Sequence, residues 1–209
     1  MEINPDPKLK SFLFPLPIFS STYIGEALSK DGEKFSVFAG LDEKLILQLK
    51  ELSLDETDEE LQKNTSDFKR FGVGKYEDWY KKNRIPFALV HTASNSLAAL
   101  VWFGPKPIGR KSLKHLSNAE LSENESDMNK ENWHTISYRC YPNFRGKGLT
   151  KKFVAFCMDI YIKNVPNVRL WAGINTENSA SSALALSLGF KLIDDFSDIN
   201  NNWAVMVKD

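Results

Sequence analysis

Residues 143–150 read Asn143-Phe144-Arg145-Gly146-Lys147-Gly148-Leu149-Thr150. These residue types and this spacing suit the binding of a phosphate. Two glycines two apart let the backbone turn tightly and approach a ligand with no Cβ in the way. A helix is expected to follow, and its first turn offers unpaired amides and the positive end of the dipole. Arg139, Arg145, Lys147, Lys151 and Lys152 surround the segment, and no acid lies between Glu131 and Asp159. The spacing is neither GxxxxGK[ST] nor GxGxxG, so the two common nucleotide loops are excluded. Taken alone, a GxG ahead of a helix is also the mark of a plain tight turn with a basic helix start.

The elements that must hold this loop are legible around it. Residues 133–141 read as a strand entering the turn, and Leu149, Phe153, Phe156, Cys157 and Ile160 mark one face of the helix leaving it. A second strand is expected over 168–174 and a second helix over 179–188, closed by Gly189. Strands over 190–193 and 203–207 complete the chain. Strand–helix–strand–helix–strand–strand implies a mixed sheet with at least one parallel βαβ crossover.

Upstream, a hairpin is expected over 20–39 around Asp31-Gly32, and a helix over 41–54 with Leu41, Leu45, Leu49 and Leu52 on one face. A short aromatic helix over 75–84 carries Tyr76, Trp79 and Tyr80, and Pro86 ends it. Strands 87–92 and 97–103 form a second hairpin. The stretch 51–60 has six acids and no base, which reads as a solvated helix end and loop, or as a lure for a cationic partner. Residues 1–17 hold four prolines and are expected to lie as an extended arm over the domain. Residues 105–132, with five bases and five acids, read as a polar insertion and the most mobile internal segment.

Two motifs together give this chain a resemblance to the GNAT superfamily of N-acetyltransferases. That family's pyrophosphate loop has the form [QR]xxGx[GA], and here the six positions are Asn143 to Gly148, with both glycines in place. Its second motif, NxxAxxxYxxxGF, aligns with residues 178–190. Asn178, Gly189 and Phe190 match, Ser181 stands for the usual Ala and Ala185 for the usual Tyr. The resemblance covers residues 133–209 well, and the order of elements over 34–103 is consistent with the family's N-terminal half. It implies an α/β (α+β) fold: a mixed, mostly antiparallel central sheet with helices on both faces and a βαβ cofactor-binding core. The division implied is an N-terminal extension over 1–32 and one acyltransferase domain over 33–209, with the insertion at 105–132.

The resemblance further implies acetyl-CoA, or another acyl-CoA, as donor and direct transfer to a primary amine. The amides of Arg145, Gly146, Lys147, Gly148, Leu149 and Thr150 would hold the pyrophosphate. The strand edge at Tyr138, Arg139 and Cys140 would bond the pantetheine where it splays from strand 168–174, and an amide there would stabilise the oxyanion. Asn178 would contact the pantetheine arm. Because Ala185 cannot protonate the departing thiolate, another hydroxyl must, or water does. Tyr141 is the preferred replacement, ahead of Ser182 and Ser187. His134, the best-placed titratable group on the central strand, is the expected general base, with Glu177 second. The alternative is a non-catalytic acyl-CoA-binding or regulatory member of the fold, and a third reading is an interaction module with a merely structural turn.

Composition bounds the rest. The chain has 209 residues, 42% hydrophobic, with 27 basic and 27 acidic side chains. Zero net charge removes a global electrostatic case for nucleic acid. Two cysteines, Cys140 and Cys157, make no disulfide framework, and no spacing suggests a metal. The first residues lack a signal peptide's basic start and apolar run, and no stretch reaches membrane-spanning length. The expectation is a cytoplasmic protein without a membrane partner, monomer or homodimer, with an amine acceptor of unread identity.

Overall fold

The computed structural model describes residues 1–9, 13–111 and 131–208. One sheet of nine strands runs through them in the order β1-β2-β3-β4-β5-β6-β7-β9-β8. The strands are β1 (Glu2–Pro5), β2 (Ser21–Leu28), β3 (Lys34–Gly40), β4 (Ile85–His91), β5 (Ser96–Pro105), β6 (Trp133–Cys140), β7 (Arg169–Asn175), β8 (Lys191–Leu192) and β9 (Trp203–Lys208). Every neighbouring pair is antiparallel except β6 and β7. That parallel pair is joined by helix α4 (Thr150–Asn164), the expected βαβ crossover.

Helices cover both faces. Helix α1 (Glu43–Leu54), α2 (Glu59–Asn64), a π-helical turn (Phe68–Gly72) and α3 (Tyr76–Tyr80) lie on one side; α4 and α5 (Ser179–Ser187) lie on the other. This explains why β4 and β5 read as unbroken apolar runs: their residues are buried on alternating sides under two helical layers. Asp42 caps α1 by accepting from the Leu45 amide at 3.0 Å, and Leu45 and Leu49 seat the helix on the sheet. Helix α3 is shorter than expected, five residues; Trp79 packs edge-on against Phe71 and Trp102, and Tyr76 stacks on Tyr80.

The N-terminal segment is tied into the sheet. Strand β1 pairs with β2, and β2 and β3 form the expected hairpin. Phe14 packs edge-on against Phe87, and the Leu16 carbonyl accepts from the Tyr80 hydroxyl at 2.6 Å. Most of the insertion expected at 105–132 lies outside the described residues. No helix among those described is long and apolar enough to cross a membrane.

The separation of β6 from β7 positions everything that follows. They pair only at Trp133–Thr135 against Arg169–Trp171. Beyond that, β6 stays with β5 and β7 stays with β9, and the two strands part.

Candidate active site

The split opens a cleft of about 490 Å³. Ile136, Ser137, Tyr138, Arg139 and Cys140 form one wall, and Ala172, Gly173, Ile174 and Asn175 the other. Backbone geometry aims the polar groups of β6 into it. The Tyr141 amide donates to the Ala98 carbonyl at 3.0 Å, and antiparallel bonds alternate along a strand. Ser137 and Arg139 therefore bond toward β5, while the amides of Tyr138 and Cys140 point into the split. They can pair with an extended ligand as a missing strand would.

At the mouth lies the turn that the sequence singles out. Gly146 and Gly148 both have left-handed backbones (φ +76° and +68°), and an added Cβ at either would meet nothing within 4 Å. The amides of Gly146, Lys147, Gly148 and Leu149 donate to no other group among the described residues. The first amides of α4 add to them. This run of unpaired donors at a helix start, open to solvent and free of side-chain bulk, fits a pyrophosphate.

The basic cluster is not free charge. Acids from distant parts of the chain neutralise most of it. Arg145 forks onto Asp58 at 2.6 and 2.8 Å and donates to the Cys140 carbonyl at 2.8 Å. Its amide is committed to the Pro142 carbonyl at 3.3 Å. Arg145 is thus a clamp that fixes the turn to α2, whose N-cap is Asp58, rather than a free phosphate ligand. Lys147 is held by Glu33 at 2.8 and 3.0 Å, so its side chain is turned to β3 and only its amide faces the mouth. Leu149 anchors the turn in the core at 1% exposure. Arg139 is buried against Asp67, which also takes Arg70 at 2.7 Å. Burial alone would raise the Asp67 carboxyl, but the Arg139 and Arg70 guanidiniums outweigh it and hold it below the usual carboxylate range.

On the opposite wall Asn178 caps α5, its side-chain oxygen accepting from the Ser181 amide at 3.0 Å. Ser181 in turn holds Tyr138. The phenol donates to the Ser181 carbonyl at 3.0 Å and lies 2.9 Å from its hydroxyl oxygen. Burial raises the Tyr138 pKa and the Ser181 bond partly offsets this, so the phenol stays protonated near neutral pH. Cys140 and Thr150 line the same cleft, and burial raises the Cys140 thiol too.

The structure therefore brings Tyr138, Arg139, Cys140, Arg145, Gly146, Thr150 and Asn178 to one cleft. The two residues expected to move protons are elsewhere. His134 sits beyond the point where the strands part, under α4, at 8% exposure. Its Nδ1 meets the Tyr161 hydroxyl at 2.5 Å and its Nε2 the Asn132 side-chain oxygen at 3.1 Å. Burial, then the nearby Arg84 charge, push its pKa down to about 4. With both nitrogens engaged and no opening to the cleft, His134 is not a base for a substrate bound there. Tyr141 is 2% exposed, in the apolar cluster under α1 to α3, and burial raises its pKa. It lines a separate hollow beside α1 with Leu97, Pro142 and Phe144, and is not among the residues of the cleft. Glu177 pairs with Lys63 of α2 at 3.1 Å, both exposed. Ser187 is bonded to the Leu184 carbonyl at 2.8 Å.

A further group of cleft residues gave no signal in the sequence. Ser66, Arg70, Ser137 and Trp203 line it, and Asp58 and Asp67 fix its arginines. Trp203 lies so close over β7 that a Cβ on Gly173 would collide with its ring.

A family profile described as Acetyltransferase (GNAT) domain matches residues 47–191, more than two-thirds of the chain. The chain belongs to the GNAT acetyltransferase family. The GNAT domain of PAT from S. lividans superposes with a TM-score of 0.58 at 12% identity, over 88% of this chain and 95% of that one. An acetyltransferase from Agrobacterium tumefaciens gives 0.56 at 10% identity, over 96% and 99%. NAA60 of Arabidopsis thaliana, solved with acetyl-CoA, gives 0.51 at 13% identity, over 83% and 97%. No curated protein sequence matches the chain. These identities establish the fold; the profile establishes the family, an N-acetyltransferase with acetyl-CoA as donor.

Within this GNAT domain, Ala185 stands at the tyrosine position of the motif aligned above with residues 178–190, and the structure shows what surrounds it. Ala185 is 1% exposed in the apolar cluster with Leu188 and Phe190, and Tyr138 packs on that cluster from β6. A tyrosine there would have to displace the buried side chains around it. Ala185→Tyr is expected to destabilise the fold by about 1–3 kcal/mol through overpacking. Urea denaturation reads this, and an unchanged midpoint would show that position 185 opens to the cleft.

Proposed function

We propose that this GNAT domain moves the acetyl group of acetyl-CoA directly to the primary amine of an acceptor, with Tyr138 as the proton donor to the leaving sulfur. The reading rests chiefly on the split between β6 and β7, which puts a row of open amides in line with the unpaired amides of residues 146–149. The loop amides would hold the pyrophosphate, and the amides of Tyr138 and Cys140 would hold the pantetheine and polarise the thioester carbonyl. Holding amine and thioester together in the cleft supplies most of the rate, since a thiolate leaves readily. Tyr138 is the phenol that lines the cleft, and Ser181 fixes its direction. No buried carboxylate or imidazole lines the described part of the cleft, so the amine is taken up as the free base or loses its proton to water. The two free thiols, Cys140 and Cys157, fit a cytoplasmic setting.

The test is calorimetry with CoA, followed by thiol release from acetyl-CoA over a panel of amines. Gly148→Asp is expected to weaken CoA at least about tenfold by placing a negative charge among the loop amides. Gly148→Asn carries the same backbone strain without the charge and is expected to lose much less. Equal affinity in Gly148→Asp and the parent would remove the pyrophosphate from this loop.

A further inference from the structure

We infer that the acceptor carries a carboxylate close to its amine, and that Arg70 is the residue that binds it. The inference rests on the cleft being the transferase site and names the class of substrate that enters opposite the donor. Arg70 reaches the cleft from the π-helical turn between α2 and α3. Its guanidinium lies 5.5 Å from the ring centroid of Trp102, and Trp102 is the cross-strand partner of Ser137. Ser137 lies two residues past Thr135, the last residue of β6 paired with β7, and it lines the cleft together with Arg70, near the start of the split. This is the face of the sheet carrying α1 to α3, opposite the α5 wall where Tyr138 and Ser181 meet.

The guanidinium is partly committed. Nη1 donates to Asp67 at 2.7 Å, but Asp67 is shared with Arg139, which takes both of its oxygens. Two guanidiniums thus face one carboxylate, leaving a net positive charge. Arg70 Nε and Nη2 donate to no other group among the described residues. Those two nitrogens form one edge of the guanidinium, a parallel fork that matches the two oxygens of a carboxylate. The other cations on the described lining are engaged: Lys63 with Glu177, Arg139 with Asp67 and Arg145 with Asp58. The carboxylate on that lining, Glu60, is exposed on α2 and accepts from Asn64 at 3.3 Å. A polyamine would bring its charges against Arg70; an amino acid would pair its carboxylate with the fork and present its amine to the thioester.

The experiment compares alanine, phenylalanine and β-alanine with their carboxamides, and with spermidine, as acceptors in thiol release from acetyl-CoA. The carboxylate is expected to exceed its amide in kcat/KM by at least about tenfold for the preferred acceptor. In Arg70→Gln that ratio is expected to fall to within about twofold, with Arg70→Lys between, because a point charge keeps attraction but loses the fork. Calorimetry in parallel titrates the CoA-loaded protein with each N-acetyl amino acid and its amide, a readout that does not need turnover. CoA affinity in Arg70→Gln within about threefold of the parent shows the donor site intact. Amides or spermidine used as well as the carboxylates, or a carboxylate preference that survives Arg70→Gln, would overturn the inference. So would CoA-loaded protein that binds no N-acetyl amino acid more tightly than its amide. Failure of acetyl-CoA itself to bind would sink the transferase reading, and this one with it.

Discussion

Tyr138→Phe is expected to lower kcat by about 10²-fold or more while leaving CoA affinity nearly unchanged, since general acid help is worth about 10²–10⁴-fold. Only the hydroxyl is removed, and the ring keeps its place against the core under α5. The Ser181 carbonyl and hydroxyl lose their partner but lie at a cleft that water can enter. The loss should be largest with acetyl-CoA and smaller with an activated thioester whose thiol is more acidic, because a better leaving group needs the proton less. Rates for the two donors in both proteins read this directly. Equal losses with both donors would leave Tyr138 as a binding residue and return the proton to solvent. Ser181→Ala should fall between, by loosening the phenol without removing it.

Asp67→Asn is expected to cost about 3–5 kcal/mol of stability, because it leaves two buried guanidiniums without their counter-charge. The Arg139 side chain is 5% exposed and that of Arg70 12%. The sign of the pH effect follows from the depressed Asp67 carboxyl. A folded pKa below the unfolded value of about 3.9 means that the stabilisation is fully present above that value and is lost as pH falls through the folded one. Denaturation midpoints of the parent should therefore drop steeply below about pH 4, and those of Asp67→Asn should drop less over the same interval. Parallel curves would show that Asp67 does not hold the pair. Asp67→Asn should also impair turnover at a temperature where it is folded, since it releases both arginines of the cleft floor.

The sequence alone determined the elements and the place of the glycine turn. Apolar periodicity along residues 41–54, unbroken apolar runs in 87–103 and the strand–helix alternation after residue 133 depend on local chemistry, so α1, β4, β5 and the β6-α4-β7 crossover fall within a few residues of their expected bounds. Gly146 and Gly148 were legible for the same reason: a left-handed turn without bulk is written in two glycines two positions apart. The roles of charged side chains were not. Arg139, Arg145 and Lys147 look like one acid-free cluster along the chain, yet Asp67, Asp58 and Glu33, 72, 87 and 114 positions away, neutralise them across space. Proton-transfer candidates went astray for a related reason. His134, Tyr138 and Tyr141 lie within eight residues on or next to one strand, and only the covering layers decide which of them meets the cleft. Alternation sends Tyr138 and Tyr141 to opposite faces, and β7, still paired at His134 but gone by Tyr138, closes one site and opens the other. The place where two strands part is a property of the whole sheet, and no residue type marks it.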